Sequence, residues 1–320
     1  LGLTYIDTAE DYGMSEEVIG CAVRHHRADV ILGTKFGPHR QNCRDIIAAC
    51  EKSLRRLQTD YIDLYQMHWP NPTVPMNEVV NAFNKLLEAG KIKHVGFGNL
   101  SFEELKQINN SIKIDSLEME YSLFDRYIER QILFFCKTNH IRLIAYSPID
   151  RGRVCPNKGK GDLQKISMRY NKTIGQVALS WLTRDSVTAI PTCRRIEHVK
   201  ENADADFDLN EVDIRIIDDI FKERILYIKP SQISVSLSGQ DNRMVYRTLE
   251  EAKVNKMNLI PSPVALSLAI KEDIKPVRVV CDGDKYNLIE GRVRYWAWVL
   301  AYGDDPIPSY VRDNYGDKNG

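Results

Sequence analysis

The sequence predicts an α/β protein, with a parallel sheet wrapped by helices in its larger part and a smaller α+β unit after it. Three observations carry this. From Leu3 to about Phe221, short β-branched runs alternate with amphipathic helical stretches, the alternation of a β/α barrel. Asp7, Tyr12, Lys35 and His68 stand at or just beyond the C-terminal ends of the apolar runs Leu3–Ile6, Val30–Leu32 and Ile62–Met67, the rim at which such barrels gather an active site. After Phe221 the alternation stops, and Pro261, Pro263 and the turn Asp282-Gly283-Asp284 punctuate shorter elements.

Seven strands are expected: Thr4–Ile6, Val30–Gly33, Ile62–Met67, His94–Gly98, Leu117–Glu120, Leu143–Tyr146 and Thr188–Ile190. Between them lie helices such as Arg44–Leu57, where Ile47, Cys50, Leu54 and Leu57 recur at helical spacing. Ser101 followed by Glu104 marks another helix start by its capping box. An eight-unit barrel takes roughly 250 residues, about 30 per βα unit. Seven strands leave it one unit short. The chain opens at Leu1 inside a strand-like segment, with no methionine and no signal peptide in view; the expectation is either a first βα unit missing upstream or another segment that closes the barrel. Beyond a boundary near Lys222–Glu223 we expect a strand at Ile225–Ile228 and a turn at Lys229-Pro230-Ser231. Polar sequence with Gly239, a helix over Val245–Lys256 and another near Val264–Ala269 follow. Val277–Val280 and Tyr286–Ile289 read as paired strands leading through Glu290–Arg294 into a helix ending at Tyr302.

Composition narrows the function classes. Hydrophobic residues make up 43% of 320, enough for a sizeable core, and 44 basic residues balance 44 acidic ones. No overall basic field argues for nucleic acid. Seven scattered cysteines, without a CxxC pair, read as reduced intracellular thiols and point to the cytoplasm. No apolar run approaches the roughly 18 residues of a membrane span.

The four rim residues make chemical sense together. A tyrosine can protonate a carbonyl oxygen, and a neighbouring ammonium lowers its pKa toward the working range. A carboxylate would hold that ammonium, and a histidine can hydrogen-bond the same oxygen. Taken singly, each has a plainer reading as a solvated lysine, a helix cap or a rim side chain. The words around them include YIDTAEDYG, LGTKFG, EKSLRRLQTDYIDLYQMHWP, LLEAGKIKHVGFGN, MEYSLFDR, AYSPIDRG and AIPTCRRIEHVKENADA. Over Leu1 to about Ile220 these resemble the aldo-keto reductases, whose fold is a (β/α)8 TIM barrel with a first strand and helix ahead of the YIDTA segment. The resemblance implies reduction of aldehydes and ketones to alcohols by hydride transfer from a nicotinamide. By position, Asp7, Tyr12, Lys35 and His68 match the catalytic tetrad. Tyr12 would be the proton donor, Lys35 would lower its pKa, Asp7 would hold Lys35, and His68 would orient the substrate.

The cofactor positions implied by the resemblance are less orthodox. Asn99 matches the carboxamide-binding Asn, but Gly98 stands where a serine is usual and Glu118 where a glutamine meets the nicotinamide amide. A carboxylate can still accept from that NH2, but its donor is lost. Tyr146 matches the ring that stacks on the nicotinamide, and Ser147, Pro148, Ile149 and Arg151 begin the pyrophosphate loop. Thr192 and Cys193 replace the common Lys/Gly-Ser pair, and His198 replaces an arginine that grips the adenosine 2′-phosphate. Glu201 and Asn202 fit the adenine end, while Arg194 and Arg195 supply a charge or are simply a solvated loop. NADPH is the expected cofactor, with NADH the alternative, and a small carbonyl compound the expected partner. No metal and no membrane are expected.

The run LIEGRVRYWAWVLAYGDDPIPSYV is similar to the ParB-like domain of ParB nucleases and CTPases, free-serine kinases and sulfiredoxin, over about Ile225 to Asp313. The resemblance implies a nucleotide phosphate held at Glu290, Gly291, Arg292 and Arg294, where helix-start amides and guanidinium forks converge. The plain alternative is a helix start with exposed arginines. No cysteine stands in that turn, which argues against sulfiredoxin chemistry. Tyr295, Trp296 and Trp298 read as core. With 14 Lys/Arg against 13 Asp/Glu after Lys222, DNA binding is disfavoured. The organisation expected is a reductase barrel over 1–222 and a ParB-like domain over 223–320. Two other readings remain open at this point: a degenerate nicotinamide-binding regulatory protein, and a ParB-like kinase or hydrolase with an accessory barrel.

Overall fold

A computed structural model of the chain describes residues 1–312 apart from 153, 155–159, 222–224, 236–245, 271–273 and 284, and only the backbone of 151, 160, 282 and 312. The chain divides into two compact units, the first containing Leu1–Pro70 and Val74–Lys222.

In the first unit the order is β1 (Tyr5–Asp7), α1 (Ser15–Val23), β2 (Ile31–Phe36), α2 (Cys43–Leu57), β3 (Ile62–Met67), α3 (Met76–Glu88) and β4 (Ile92–Gly98). Then come α4 (Phe102–Asn109), β5 (Ser116–Glu120), α5 (Ile132–Thr138), β6 (Arg142–Tyr146), α6 (Lys160–Tyr170), α7 (Ile174–Thr183), β7 (Thr188–Ile190), α8 (Ile196–Ala203) and α9 (Glu211–Ile220). The seven strands pair in sequence order and all are parallel. Parallel neighbours need a long crossover, which the intervening helices provide. A strand covered on both faces reads as a continuous apolar run, and β3 is buried at all six positions. The sheet is open: among the described residues β1 and β7 are its two edges.

All seven expected strands are present, with one correction that bears on the site. β2 does not stop at Gly33 but runs to Phe36, so Lys35 lies within the strand. The extension is stabilised because Gly33 to Phe36 pair in register with Leu64 to Met67.

The helices follow from local signals. Asn42 caps α2 by accepting the Asp45 amide at 3.1 Å, and the face Ile46, Ala49, Cys50, Leu54 and Leu57 is buried. Truncating one such leucine to alanine costs about 2–5 kcal/mol. The capping box expected at Ser101 and Glu104 forms on α4, with both reciprocal bonds in place.

The second unit holds a five-stranded mixed sheet in the order β8 (Ile225–Ile228), β12 (Ile307–Arg312), β10 (Val277–Asp282), β11 (Lys285–Glu290), β9 (Ile233–Ser234). Its helices are α10 (Leu249–Lys253), α11 (Pro263–Ala269) and α12 (Arg292–Tyr302). The expected β10–β11 hairpin is antiparallel, though residue 284 of its turn lies outside the described residues. The helix expected over Val245–Lys256 is shorter, since Thr248 caps it and Val254 ends it; Val245 and Gly239 lie outside the described residues. Pro263 does not break the chain before α11 but sits at its first position, where a missing N–H costs nothing. Tyr295, Trp296 and Trp298 are buried in this unit's core, their polar tips bonded to the carbonyls of Pro230, Tyr246 and Asp305.

Candidate active site

The C-terminal ends of β1 to β6 carry polar side chains in an otherwise apolar interior. Side chains two apart on a strand share a face. Tyr5 and Asp7 on β1, and Ser116 and Glu118 on β5, are such pairs. Lys35 is fully buried. Its Nζ donates to Asp7 Oδ2 and, at 3.1 Å, to the carbonyl of Thr8, and it stands 3.2 Å from Glu118 Oε2. Asp7 also accepts from the Tyr5 hydroxyl at 3.1 Å. Glu118 accepts from Gln66 Nε2 at 3.0 Å, and Gln66 Oε1 in turn accepts from Ser116 at 3.1 Å.

Tyr12 reaches this group from the loop after β1. The loop is tied to β2 by the Thr8 amide on Gly33 and the Glu10 amide on Lys35, at 3.0 Å each. The Tyr12 amide bonds back to Ala9 at 3.1 Å, and the chain turns at Gly13 with φ 58°. Its ring centroid is 5.7 Å from Lys35 Nζ, and its hydroxyl is 3.2 Å from His68 Nε2. The residue as a whole is 48% exposed. His68 follows β3 and is held by its amide on Phe36 at 3.1 Å.

The electrostatics follow from burial. Desolvation pushes the His68 imidazole down to about 4, helped by the Lys35 charge, so it is neutral at physiological pH. Lys35 is raised despite its burial, because Asp7 and Glu118 hold its charge. Desolvation outweighs Lys35 at both carboxyls: Asp7 is raised, and Glu118 is pushed up to about 7, with the nearby Asp7 charge adding to it. Burial holds the Tyr12 phenol above its ordinary value; Lys35 pulls it down, and the carboxylates Glu118 and Asp7 push it up.

Asn99, Glu118 and Tyr146 come together on neighbouring strand ends. The Asn99 amide bonds the Glu118 carbonyl at 2.9 Å, its Nδ2 donates to His68 O at 3.1 Å, and its Oδ1 accepts from Tyr146 at 2.9 Å. Asn99 sits at φ 59°, a conformation asparagine tolerates better than most residues. The replacement of serine by Gly98 has a local reason: a Cβ there would collide with the His68 carbonyl. After Tyr146 the chain makes a tight turn, with Ser147 at φ 51° and the amides of Asp150 and Gly152 on Ser147 O and Ile149 O. Pro148 and Ile149 lie in this turn, and the Arg151 side chain lies outside the described residues.

Thr192, Cys193, Arg194 and Arg195 form the loop into α8, with both arginines exposed. Asn202 donates to Cys193 Sγ, and Glu201 accepts from Thr173 at 2.6 Å and lies 3.3 Å from His198. Part of their polar capacity therefore fastens α8 to α7 and to its own loop. Tyr5, Gln66 and Ser116 were not singled out from sequence. The signal that would have found them is the polar residue two before each of Asp7, His68 and Glu118.

In the second unit, the Glu290 carboxylate pairs with the buried Arg278 at 2.5 Å. Gly291 takes φ 92° and starts α12 without a side-chain cap. Arg294 leans back toward Pro276 O at 3.4 Å, a weak contact, rather than out from the turn.

The parallel α/β sheet thus brings a buried carboxylate–lysine pair beside a half-exposed tyrosine and a neutral histidine. The aldo/keto reductase family model matches residues 1–222, and the chain belongs to that family of NADP-dependent oxidoreductases. It is 36% identical to the methylglyoxal reductase YeaE of Escherichia coli over 227 residues, 68% of this chain and 80% of that one. It is 30% identical to the glyoxal reductase of Bacillus subtilis, covering 72% of this chain and 84% of that one. Among solved structures, an aldo-keto reductase from Klebsiella pneumoniae in complex with NADPH superposes with a TM-score of 0.65 at 34% identity, covering 69% of this chain and 80% of that one.

Proposed function

We propose that the chain reduces small reactive carbonyl compounds, 2-oxoaldehydes such as methylglyoxal and glyoxal first among them, with NADPH as reductant and Tyr12 as proton donor. One observation carries this reading: the buried Asp7–Lys35 pair lies beside a half-exposed tyrosine whose phenol meets a neutral imidazole at 3.2 Å. Bound NADPH supplies the hydride. Tyr12 gives its hydroxyl proton to the carbonyl oxygen, and the Lys35 charge stabilises the phenolate left behind. Neutral His68 hydrogen-bonds the same oxygen and orients the substrate.

The residues present fit the dinucleotide. Asn99, Glu118 and Tyr146 offer an amide, a carboxyl and an aromatic ring on adjacent strand ends, which suits a ring carboxamide. Ser147, Pro148, Ile149 and Arg151 would cover the pyrophosphate. Exposed Arg194 and Arg195, with Thr192, Cys193, His198, Glu201 and Asn202, would meet the adenosine end. With His198 in place of the usual arginine, discrimination against NADH is weak.

The test is NADPH consumption with methylglyoxal, glyoxal and a panel of aldehydes. Tyr12→Phe should abolish turnover while cofactor quenching of protein fluorescence persists, because the phenol serves proton transfer and not dinucleotide binding. Equal rates in the two proteins would overturn the assignment.

On this reading the reductase domain is 1–222 and residues 223–320 are a ParB-like module that takes a nucleotide phosphate at Gly291, Arg292 and Arg294. One observation favours that second part: Gly291 starts α12 at φ 92° with no side-chain cap, leaving amides for an anion. Glu290, paired with Arg278, would stand beside that phosphate. Calorimetry of the whole chain with ATP, ADP and CTP plus magnesium tests it. Millimolar or tighter binding that Arg294→Ala weakens would support the module, and no binding would remove it.

A further inference from the structure

Asp7, Tyr12, Lys35 and His68 make up the family's tetrad; Glu118 stands outside it. We infer that Glu118 is a positioning residue for Lys35: a second carboxylate on the same ammonium, whose charge state sets how far Lys35 can acidify Tyr12. The inference rests on the reductase reading above and adds to it a proton-dependent control.

The geometry is one of competition for a single cation. Glu118 Oε2 lies 3.2 Å from Lys35 Nζ, which also pairs with Asp7, and both carboxyls are buried. Gln66 Nε2 fixes the same oxygen at 3.0 Å, and Ser116 fixes Gln66. The charged and titratable groups facing Glu118 are Asp7 and Tyr5 from β1, Lys35 from β2 and Tyr12 from the loop after β1. With Asp7 and Glu118 both ionised, the group carries a net negative charge in a site where charge is poorly solvated. Protonating Glu118 leaves Asp7 and Lys35 as a neutral pair. Burial and the Asp7 charge bring this ionisation up to about 7.

Two consequences follow from charge alone. Ionised Glu118 opposes Lys35 at the phenol and holds Tyr12 up; neutral Glu118 does not. Neutral Glu118 also regains an O–H donor beside its carbonyl oxygen, so it matches the hydrogen-bonding set of a carboxamide. Its side chain can then meet both halves of a nicotinamide amide, whereas the ionised form meets only the NH2.

Glu118→Gln separates charge from shape. The glutamine oxygen still accepts from Lys35 and Gln66, so the variant keeps the fold, and circular dichroism checks this. The Tyr12 phenolate is read by ultraviolet difference titration against Tyr12→Phe, without cofactor or turnover. In Glu118→Gln, Tyr12 should ionise at lower pH, with a shift of about one pH unit for removal of one near charge. The descending limb of kcat/KM for aldehyde reduction should move the same way. Infrared difference spectra of wild type against Glu118→Gln should show a protonated-carboxyl band in wild type that disappears as pH rises through about 7. Tyr12 titrating identically in both proteins overturns the inference, as does a carboxyl that is already ionised at pH 5. A shifted Tyr12 titration with no carbonyl reduction at any pH would instead sustain the role of Glu118 and sink the reductase reading.

Discussion

Lys35 has three ammonium protons, and Asp7, the Thr8 carbonyl and Glu118 surround it. That saturation explains how a lysine can be buried: its charge is lowered in cost by partners on two sides. The cost reappears at the second carboxylate. Glu118 moves from an ordinary 4.5 to about 7. Between those values the folded protein keeps a proton that the unfolded chain has lost, so stability falls as pH rises through this window. Glu118→Gln should therefore be more stable than wild type at pH 8, by about 3 kcal/mol, and little different at pH 4. Urea midpoints at the two pH values check this. A wild type with equal or greater stability at pH 8 would show that Glu118 is not strained by its charge.

At the scale of elements, close approach matters as much as pattern. α1 packs on α2 at Gly20, where an added Cβ would lie 2.6 Å from Arg56 O and 2.7 Å from Leu57 C, both backbone atoms. Helix propensity alone favours alanine over glycine by roughly 1 kcal/mol. Overpacking against backbone opposes that gain by about 1–3 kcal/mol. Gly20→Ala should lower stability by about 1 kcal/mol, read from the shift in denaturant midpoint; a rise would mean that α1 can slide away without loss. The same two helices are joined by Arg56 on buried Glu16, whose other oxygen accepts from Thr34 of β2 at 2.6 Å. Asp63 does similar work on the sheet, taking the Leu32 amide at 3.0 Å and Arg27 at 2.6 Å, while Lys93 lies 3.0 Å away.

For the molecule as a whole, each unit has its own core, one around the parallel sheet and one around Tyr295, Trp296 and Trp298. Separate cores favour unfolding that is not two-state. Calorimetry of the whole chain should resolve two transitions. A ligand at 100 times its Kd adds about 2.7 kcal/mol to the unit that binds it, so saturating NADPH should raise one transition and leave the other in place. A single transition that moves as one would show that the units unfold together. Among the described residues no helix is long and apolar enough to cross a membrane.

The sequence by itself determined the parallel α/β architecture of the first unit, because periods of two and 3.6 and the residues at strand ends are local properties. It also brought out Asp7, Tyr12, Lys35 and His68, since each lies at or just beyond the end of an apolar run; similarity to known reductases then established the family. Only the tertiary structure decided what those groups do to one another. Glu118 lies 83 positions after Lys35 in the chain, and nothing in its neighbours foretells that it shares Asp7's ammonium. The rise in the Tyr12 phenol, the neutral His68 and the pairing of Glu290 with Arg278 have the same origin. Local patterns specify which backbone forms, whereas charge depends on burial and on distances across strands, which exist only once the sheet has assembled.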